Sequence, residues 1–146
     1  MSIQPLRYDV RELWYAIRPH GWTSLAVVSP QRTPKTMRLA QSLAEFGRQA
    51  GAGLMEPIDA TELDLARVAA ITRRLAPRDS SGSGEGRKFI VGLDSPIVNP
   101  IAAGVAAACD SALLLLLRTE TTIPDARRTV EVIGRGRLLG AVIASD

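Results

Sequence analysis

Short aliphatic runs alternate with amphipathic segments along this chain. Five of the runs predict strands, because each is short, mainly apolar and separated from the next by a helical or polar segment. Pro57 interrupts the second run, which predicts that this strand is weak or lies at an edge of the sheet. In chain order, the five runs are Ser24–Ser29, Leu54–Ile58, Phe89–Leu93, Leu113–Leu117 and Leu138–Ile143.

Before the first run and between the others, apolar residues recur at helical spacing and predict five helices. In the first helix, Val10, Leu13 and Ile17 fall on one face. Thr33 followed by Pro34 is a strong start signal for the second helix, since proline favours the first helical position. The five helices are predicted to begin near Arg7, Thr33, Thr61, Pro100 and Pro124.

The alternation of strands and helices predicts one α/β domain over residues 1–146, with a mainly parallel sheet covered on both faces. Residues 79–87 are rich in serine and glycine, which is typical of a flexible linker inside that domain. Ligands bind such sheets at the carboxyl ends of the strands. We therefore expect any chemistry at residues 29–36 and 94–96.

Composition narrows the possible classes of protein. With 46% hydrophobic and 23% charged residues, the chain cannot be wholly disordered. The net charge is +3, and the arginines are scattered rather than gathered into a basic stripe, so nucleic-acid binding is not expected. Cys109 is the only cysteine and fits a reducing cytoplasm. Asp110 interrupts the most apolar stretch, which predicts a soluble chain.

The segment between the first strand and the second helix has the layout of a phosphate-binding loop. That motif reads Gly-x-x-x-x-Gly-Lys-Ser/Thr, and residues 29–36 read Ser-Pro-Gln-Arg-Thr-Pro-Lys-Thr. Lys35 and Thr36 match the motif, whereas Ser29 and Pro34 replace its two glycines. Pro30 and Pro34 also lack the amide hydrogens that would cradle a phosphate. The segment is either a vestigial phosphate loop of Ser29, Lys35 and Thr36 or an ordinary helix start.

Asp94 ends the third apolar run and is followed by Ser95 and Pro96. An acidic residue at the end of an apolar strand occupies the same position as the aspartate that orders Mg²⁺ in nucleotide-hydrolysing proteins. The alternative is an aspartate that caps the following turn. If a metal-bound nucleotide is held, Thr36 and Asp94 are the expected metal ligands.

Taken in order, these segments resemble a known family. Phe89–Pro96 is similar to the family segment "viiDtPP", and Ala107–Arg118 is similar to "aDgvllVvr", with Asp110 at the position of its aspartate. Arg11 matches one arginine of an amino-terminal Glu-x-x-Arg-x-x-Arg helix. The family comprises the cytoplasmic bacterial tyrosine kinases of capsule and exopolysaccharide export, deviant Walker A ATPases related to MinD and ParA. By this resemblance, Asp59 is the residue of this chain that could correspond to a further aspartate of the family's site, which lies in the strand after the helix of the phosphate loop.

The resemblance implies a three-layer, P-loop NTPase-like fold with helices on both faces of the sheet. Its five parallel strands, numbered along the chain, would have the order 2-3-1-4-5, which right-handed crossovers permit. If the site is active, the resemblance makes Asp94 and Asp59 its catalytic residues and Mg-ATP its cofactor.

Because both loop glycines are replaced, the favoured hypothesis is a degenerate, non-catalytic homologue that needs no cofactor. It would act as an interaction or regulatory subunit in exopolysaccharide or capsule synthesis and export. Its partner would be the cytoplasmic part of a membrane polysaccharide export or chain-length protein, another kinase-like subunit or a second copy. We expect it in the cytoplasm, peripheral to the inner membrane through that partner. Two alternatives are an active kinase or ATPase with an atypical loop and an unrelated α/β binding module for nucleic acid.

Overall fold

The computed structural model describes the backbone of residues 3–4 and all of residues 9–76 and 87–144. Within that part, six strands form one sheet in which every neighbouring pair is parallel. Their order is β1-β6-β5-β2-β4-β3. The strands are β1 (Ile3–Gln4), β2 (Ser24–Val28), β3 (Met55–Ala60), β4 (Lys88–Leu93), β5 (Ser111–Leu117) and β6 (Leu138–Ala144).

This topology confirms the predicted order of the five apolar runs, which correspond to β2 through β6. The prediction for the run that contains Pro57 is also confirmed, since β3 is an edge strand. The structure adds β1, whose two residues pair with Ala141 and Val142 of β6. A segment of two residues is too short to carry an apolar pattern, so the sequence could not show this strand.

Five α-helices connect the strands, and 3₁₀ turns follow two of them at Arg18–His20 and Arg135–Arg137. The helices α1 and α2 pack on one face of the sheet, and α3, α4 and α5 pack on the other. Their bounds are α1 (Val10–Ile17), α2 (Lys35–Gln49), α3 (Leu65–Leu75), α4 (Ala102–Ala108) and α5 (Ile123–Ile133).

The predicted cap of the third helix at Thr61 is wrong. The amide and hydroxyl of Thr61 instead donate to Asp59 Oδ1, at 3.0 and 2.5 Å, which forms a tight turn after β3. Asp64 caps α3, because its carboxylate accepts a hydrogen bond of 2.8 Å from the Arg67 amide. Thr61 and Asp64 both have side chains that can cap a helix. Thr61 bonds to Asp59 at the end of β3, so the later residue, Asp64, forms the cap.

The run of leucines in β5 illustrates how the sheet is buried. Leu113, Leu115 and Leu117 belong to the core under α1 and α2, whereas Leu114 packs under α5. All four are buried, as expected for a central parallel strand covered on both faces. This confirms that the run is a strand.

The predicted linker at residues 79–87 lies outside the described residues, apart from exposed Arg87 just before β4. Among the residues that the structure describes, no helix is both long and apolar enough to span a membrane.

Candidate functional site

The candidate site lies where β2 and β4 end and α2 begins. Gly92 of β4 makes this arrangement possible, because a Cβ atom there would lie only 2.5 Å from the Met37 Cα. The first turn of α2 therefore rests directly on the β4 backbone. As a result, the buried Thr36 hydroxyl donates to the Leu93 carbonyl at 3.3 Å and also to the Thr33 carbonyl at 3.3 Å.

Arg32 and Asp94 form a bidentate ion pair at the centre of the site. Arg32 Nε donates to Asp94 Oδ1, and Arg32 Nη2 donates to Asp94 Oδ2, both at 2.9 Å. The Asp94 side chain is completely buried, whereas 57% of the Arg32 side chain is exposed. The two residues are 62 positions apart, so only the fold brings this cation to the carboxylate.

Two further donors complete the surroundings of Asp94. The Ser95 amide donates to Oδ1 at 2.9 Å, and Asn99 Nδ2 donates to Oδ2 at 3.0 Å. Burial raises the pKa of Asp94, but the hydrogen bonds from Arg32, Asn99 and the Ser95 amide outweigh burial and lower it. The carboxylate is thus ionised at neutral pH, and each of its oxygens already accepts two hydrogen bonds.

Two backbone amides within residues 29–35 donate to side chains of the same segment. The Gln31 amide donates to Ser29 Oγ, and the Lys35 amide donates to Thr33 Oγ1, both at 3.2 Å. Within the described residues, positive φ angles occur only at four glycines, none of which lies in this loop. Left-handed residues are one means by which successive amides converge into a phosphate nest. This loop contains none of them.

Hydrogen bonds join the loop to the segments on both sides of it. The buried Ser95 hydroxyl donates to the Pro30 carbonyl at 2.7 Å. On the other side, the Thr121 hydroxyl donates to Gln31 Oε1, and Gln31 Nε2 donates to the Glu120 carbonyl at 3.5 Å. The loop is thereby connected to the carboxyl ends of β4 and β5.

Asp59 lies at the carboxyl end of β3, on the strand next to the one that Asp94 follows. The backbone connects these ends, since the Asp94 amide donates to the Ala60 carbonyl at 2.8 Å. The Asp59 side chain, however, is exposed and accepts from Thr61, and this hydrogen bond lowers the pKa of Asp59. Its contacts are those of a turn-forming aspartate.

Sequence reasoning missed two members of this site, Arg32 and Asn99. Arg32 lies in the loop that resembles a phosphate-binding motif, at a position where that motif accepts any residue. A usable signal was present, because a lone arginine among uncharged loop residues faces the acidic end of the neighbouring strand. Asn99, five residues after Asp94, had no signal in the sequence.

Two other residues of interest lie away from this site. Asp110 Oδ2 accepts hydrogen bonds of 2.8 and 2.5 Å from the amide and hydroxyl of Thr23, which joins the start of β5 to the start of β2. Its role is structural and lies at the amino ends of the strands.

Cys109 is buried, and desolvation raises the pKa of its thiol to about 12, so it packs as a small apolar residue.

Comparison with known proteins gives a likeness among solved structures. No known family model matches the chain, and no curated protein matches it. Among solved structures, the chain is similar to the tyrosine kinase domain of BceF, with a TM-score of 0.59 and 13% sequence identity. The match covers 93% of this chain and 74% of that domain. At this identity the likeness establishes the fold alone: a three-layer α/β domain like that of the BceF tyrosine kinase domain.

Proposed function

We propose that this protein is a non-catalytic relative of the bacterial tyrosine autokinases. It acts as an interaction or regulatory subunit in exopolysaccharide or capsule synthesis and export. The observation that carries this proposal is the Arg32–Asp94 ion pair. In an active relative the corresponding carboxylate would help to order Mg²⁺, directly or through water. Here a guanidinium already supplies the positive charge.

The residues present do not fit a magnesium nucleotide. A metal ion at Asp94 would have to displace Arg32 or compete with Asn99 and the Ser95 amide for the same oxygens. A phosphate group would find no amide hydrogen at Pro30 or Pro34. Two missing amide donors weaken a micromolar nucleotide site by a factor on the order of 10² to 10⁴.

The structural roles of other arginines support an interaction subunit over a nucleic-acid binding module. Arg137 Nη1 donates to three carbonyls at the end of α4, those of Ala106, Ala107 and Cys109, at 2.8–3.1 Å. Arg48 Nη1 donates to the Met55 carbonyl at 2.7 Å. These two guanidiniums are engaged with backbone carbonyls of the chain itself. An abundance of arginine therefore does not by itself favour nucleic acid as the partner.

One observation favours a second candidate, an active kinase or ATPase with an atypical loop. Lys35 and Thr36 begin α2, and the Thr36 hydroxyl reaches the carbonyl of the residue before Asp94. Thr36 and Asp94 are thus neighbours at the carboxyl end of β4, and Lys35 directly precedes Thr36 in the chain. For activity, Arg32 would have to leave Asp94, and Asp94 with Asp59 would serve as the acidic groups.

Calorimetric titration with Mg-ATP and Mg-ADP distinguishes the two candidates. We expect no saturable heat in the micromolar range and no transfer of labelled phosphate from ATP to the protein. The control is Lys35→Ala, which removes the ammonium group that would bind phosphate. Micromolar affinity for Mg-ATP that disappears in Lys35→Ala would overturn the non-catalytic proposal in favour of the active enzyme.

A further inference from the structure

An apolar groove of about 520 Å³ lies between α5 and the sheet, on the face opposite α2. One wall is a stripe on α5 formed by Ile123, Ala126 and Val130, which are three or four residues apart and share a helix face. The floor includes Leu114 and Leu116 of β5. A groove of this size is in the range of small-molecule sites, which are mainly apolar with a few polar groups.

The mouth of the groove is open to solvent. Ile123 begins α5 with 74% of its surface exposed, although it is a large aliphatic residue. Leu116 is half-buried, whereas Leu114 beneath it is fully buried. An apolar ligand in the groove would cover Ile123 and Leu116, and removing that area from water favours binding.

The polar part of the lining is cationic. Arg127 of α5 and Arg135 of the following 3₁₀ turn both line the groove, and both are exposed. Within residues 9–76 and 87–144, neither guanidinium has a hydrogen bond or an ion pair, in contrast to Arg32 and Arg137. A planar guanidinium matches carboxylate-type oxygens in a bidentate manner. Charge complementarity therefore selects an anionic group at the mouth.

We propose that this groove binds an amphiphilic anion with an aliphatic body and a single anionic head group. The aliphatic body would lie over Leu114 and Leu116, and the head group would pair with Arg127 or Arg135. This site is separate from the Arg32–Asp94 site, and the proposal holds whether or not the protein binds nucleotide.

The probe for this site is decanoate, added below its micelle concentration, with decyltrimethylammonium as the matched cation of equal chain length. Binding is measured by calorimetry, and the location is mapped from amide chemical shifts in nitrogen-15 spectra. We expect saturable binding of decanoate with shifts centred on residues 114–116 and 123–130, and no binding of the cation.

Charge-reversal variants complete the test. The double variant Arg127→Glu, Arg135→Glu should weaken decanoate binding by at least about tenfold. Arg128→Glu is the matched control, because Arg128 is exposed on α5 but does not line the groove, and it should leave the affinity unchanged. Both lining arginines are exposed, so the fold should survive, which circular dichroism checks.

Several outcomes would overturn the proposal. These are the absence of decanoate binding below about 1 mM, equal binding of the cation, unchanged affinity in the double variant, and shifts that map outside the groove. A change of oligomeric state in the double variant, without decanoate binding to the original protein, would assign the groove to contact between copies of the chain.

Discussion

At the scale of single residues, the behaviour of this site is decided by the partner of Asp94. A buried carboxylate needs a compensating charge or several donors, and this one has both, in Arg32 and in Asn99 with the Ser95 amide. Removing one partner of such an ion pair lowers the free energy of unfolding by more than the intact pair contributes to it, because the remaining charge stays buried. Arg32 therefore both blocks the acidic group and stabilises the fold.

The first prediction concerns Arg32→Ala. This change leaves the Asp94 carboxylate buried without its cation, and we expect the melting temperature to fall by roughly 3–6 °C. Arg38→Ala is the control, since Arg38 is exposed on α2 and should leave the melting temperature nearly unchanged. The effect of Arg32→Ala should shrink in an Asp94→Asn background, as a double-mutant cycle would measure. Equal melting temperatures for Arg32→Ala and Arg38→Ala would contradict the prediction.

The second prediction concerns the pH dependence of stability. The folded protein lowers the pKa of Asp94 and of Asp110 from the ordinary value of 3.8. For Asp110, burial raises the pKa, but the hydrogen bonds from Thr23 and the Ser24 amide outweigh it. A lowered pKa adds stability that is fully present above the unfolded value and is lost as the pH falls through the folded value. We therefore expect the free energy of unfolding to decrease below about pH 4–5.

Urea denaturation between pH 6 and pH 3 checks this expectation. Asp94→Asn and Asp110→Asn should each lower stability at pH 6 and flatten its decline in acid. The control is Glu45→Gln, an exposed position on α2. A decline in both asparagine variants as steep as in the original protein would show that these carboxylates do not govern the acid response.

At the scale of elements, one glycine determines how closely the helix after the loop approaches the sheet. Gly92 has no side chain because the backbone of α2 occupies that space, at Met37. This contact positions Thr36 against Leu93 and thereby defines the geometry of the loop.

The third prediction is that Gly92→Ala destabilises the protein by about 1–3 kcal/mol, because the added Cβ atom meets backbone and α2 must move. Gly104→Ala is the matched control: its Cβ atom would meet only Val68 Cγ1, at 3.6 Å. That position lies within α4, where alanine is favoured over glycine, so we expect no loss of stability there. Chemical denaturation midpoints test both variants, and a midpoint for Gly92→Ala equal to that of the original protein would refute the close approach.

The elements also show what the sequence can and cannot predict. Apolar runs located β2 to β6, because burial on both faces selects aliphatic residues locally. Residues that depend on distant neighbours were harder to predict. Arg32 contacts Asp94 only because the fold places β4 beside β2. Thr61 does not cap α3 because it donates hydrogen bonds to Asp59 instead. For the site, the assignment of Lys35, Thr36 and Asp94 to a phosphate or metal stays a prediction, and the residue that neutralises Asp94 was not foreseen.

At the scale of the whole molecule, the two faces of the sheet share their central strands. In β2, Leu25 and Val27 belong to the core beneath α1 and α2, while Ala26 and Val28 belong to the core beneath α3 and α4. Neither core can lose its packing without disturbing the strand that supplies the other. From this sharing we expect the described residues to unfold as one cooperative unit.

The last prediction follows from this sharing and uses the two tryptophans as reporters. Trp14 and Trp22 are buried in the core on the α1 and α2 face and form an edge-to-face pair with ring centroids 6.1 Å apart. Their fluorescence therefore follows one face of the sheet, whereas far-ultraviolet circular dichroism follows helices on both faces. Because β2 and β5 join the two cores, we expect both signals to change in one transition with the same urea midpoint. Fluorescence that changes well before or after circular dichroism would mean that the two faces unfold independently.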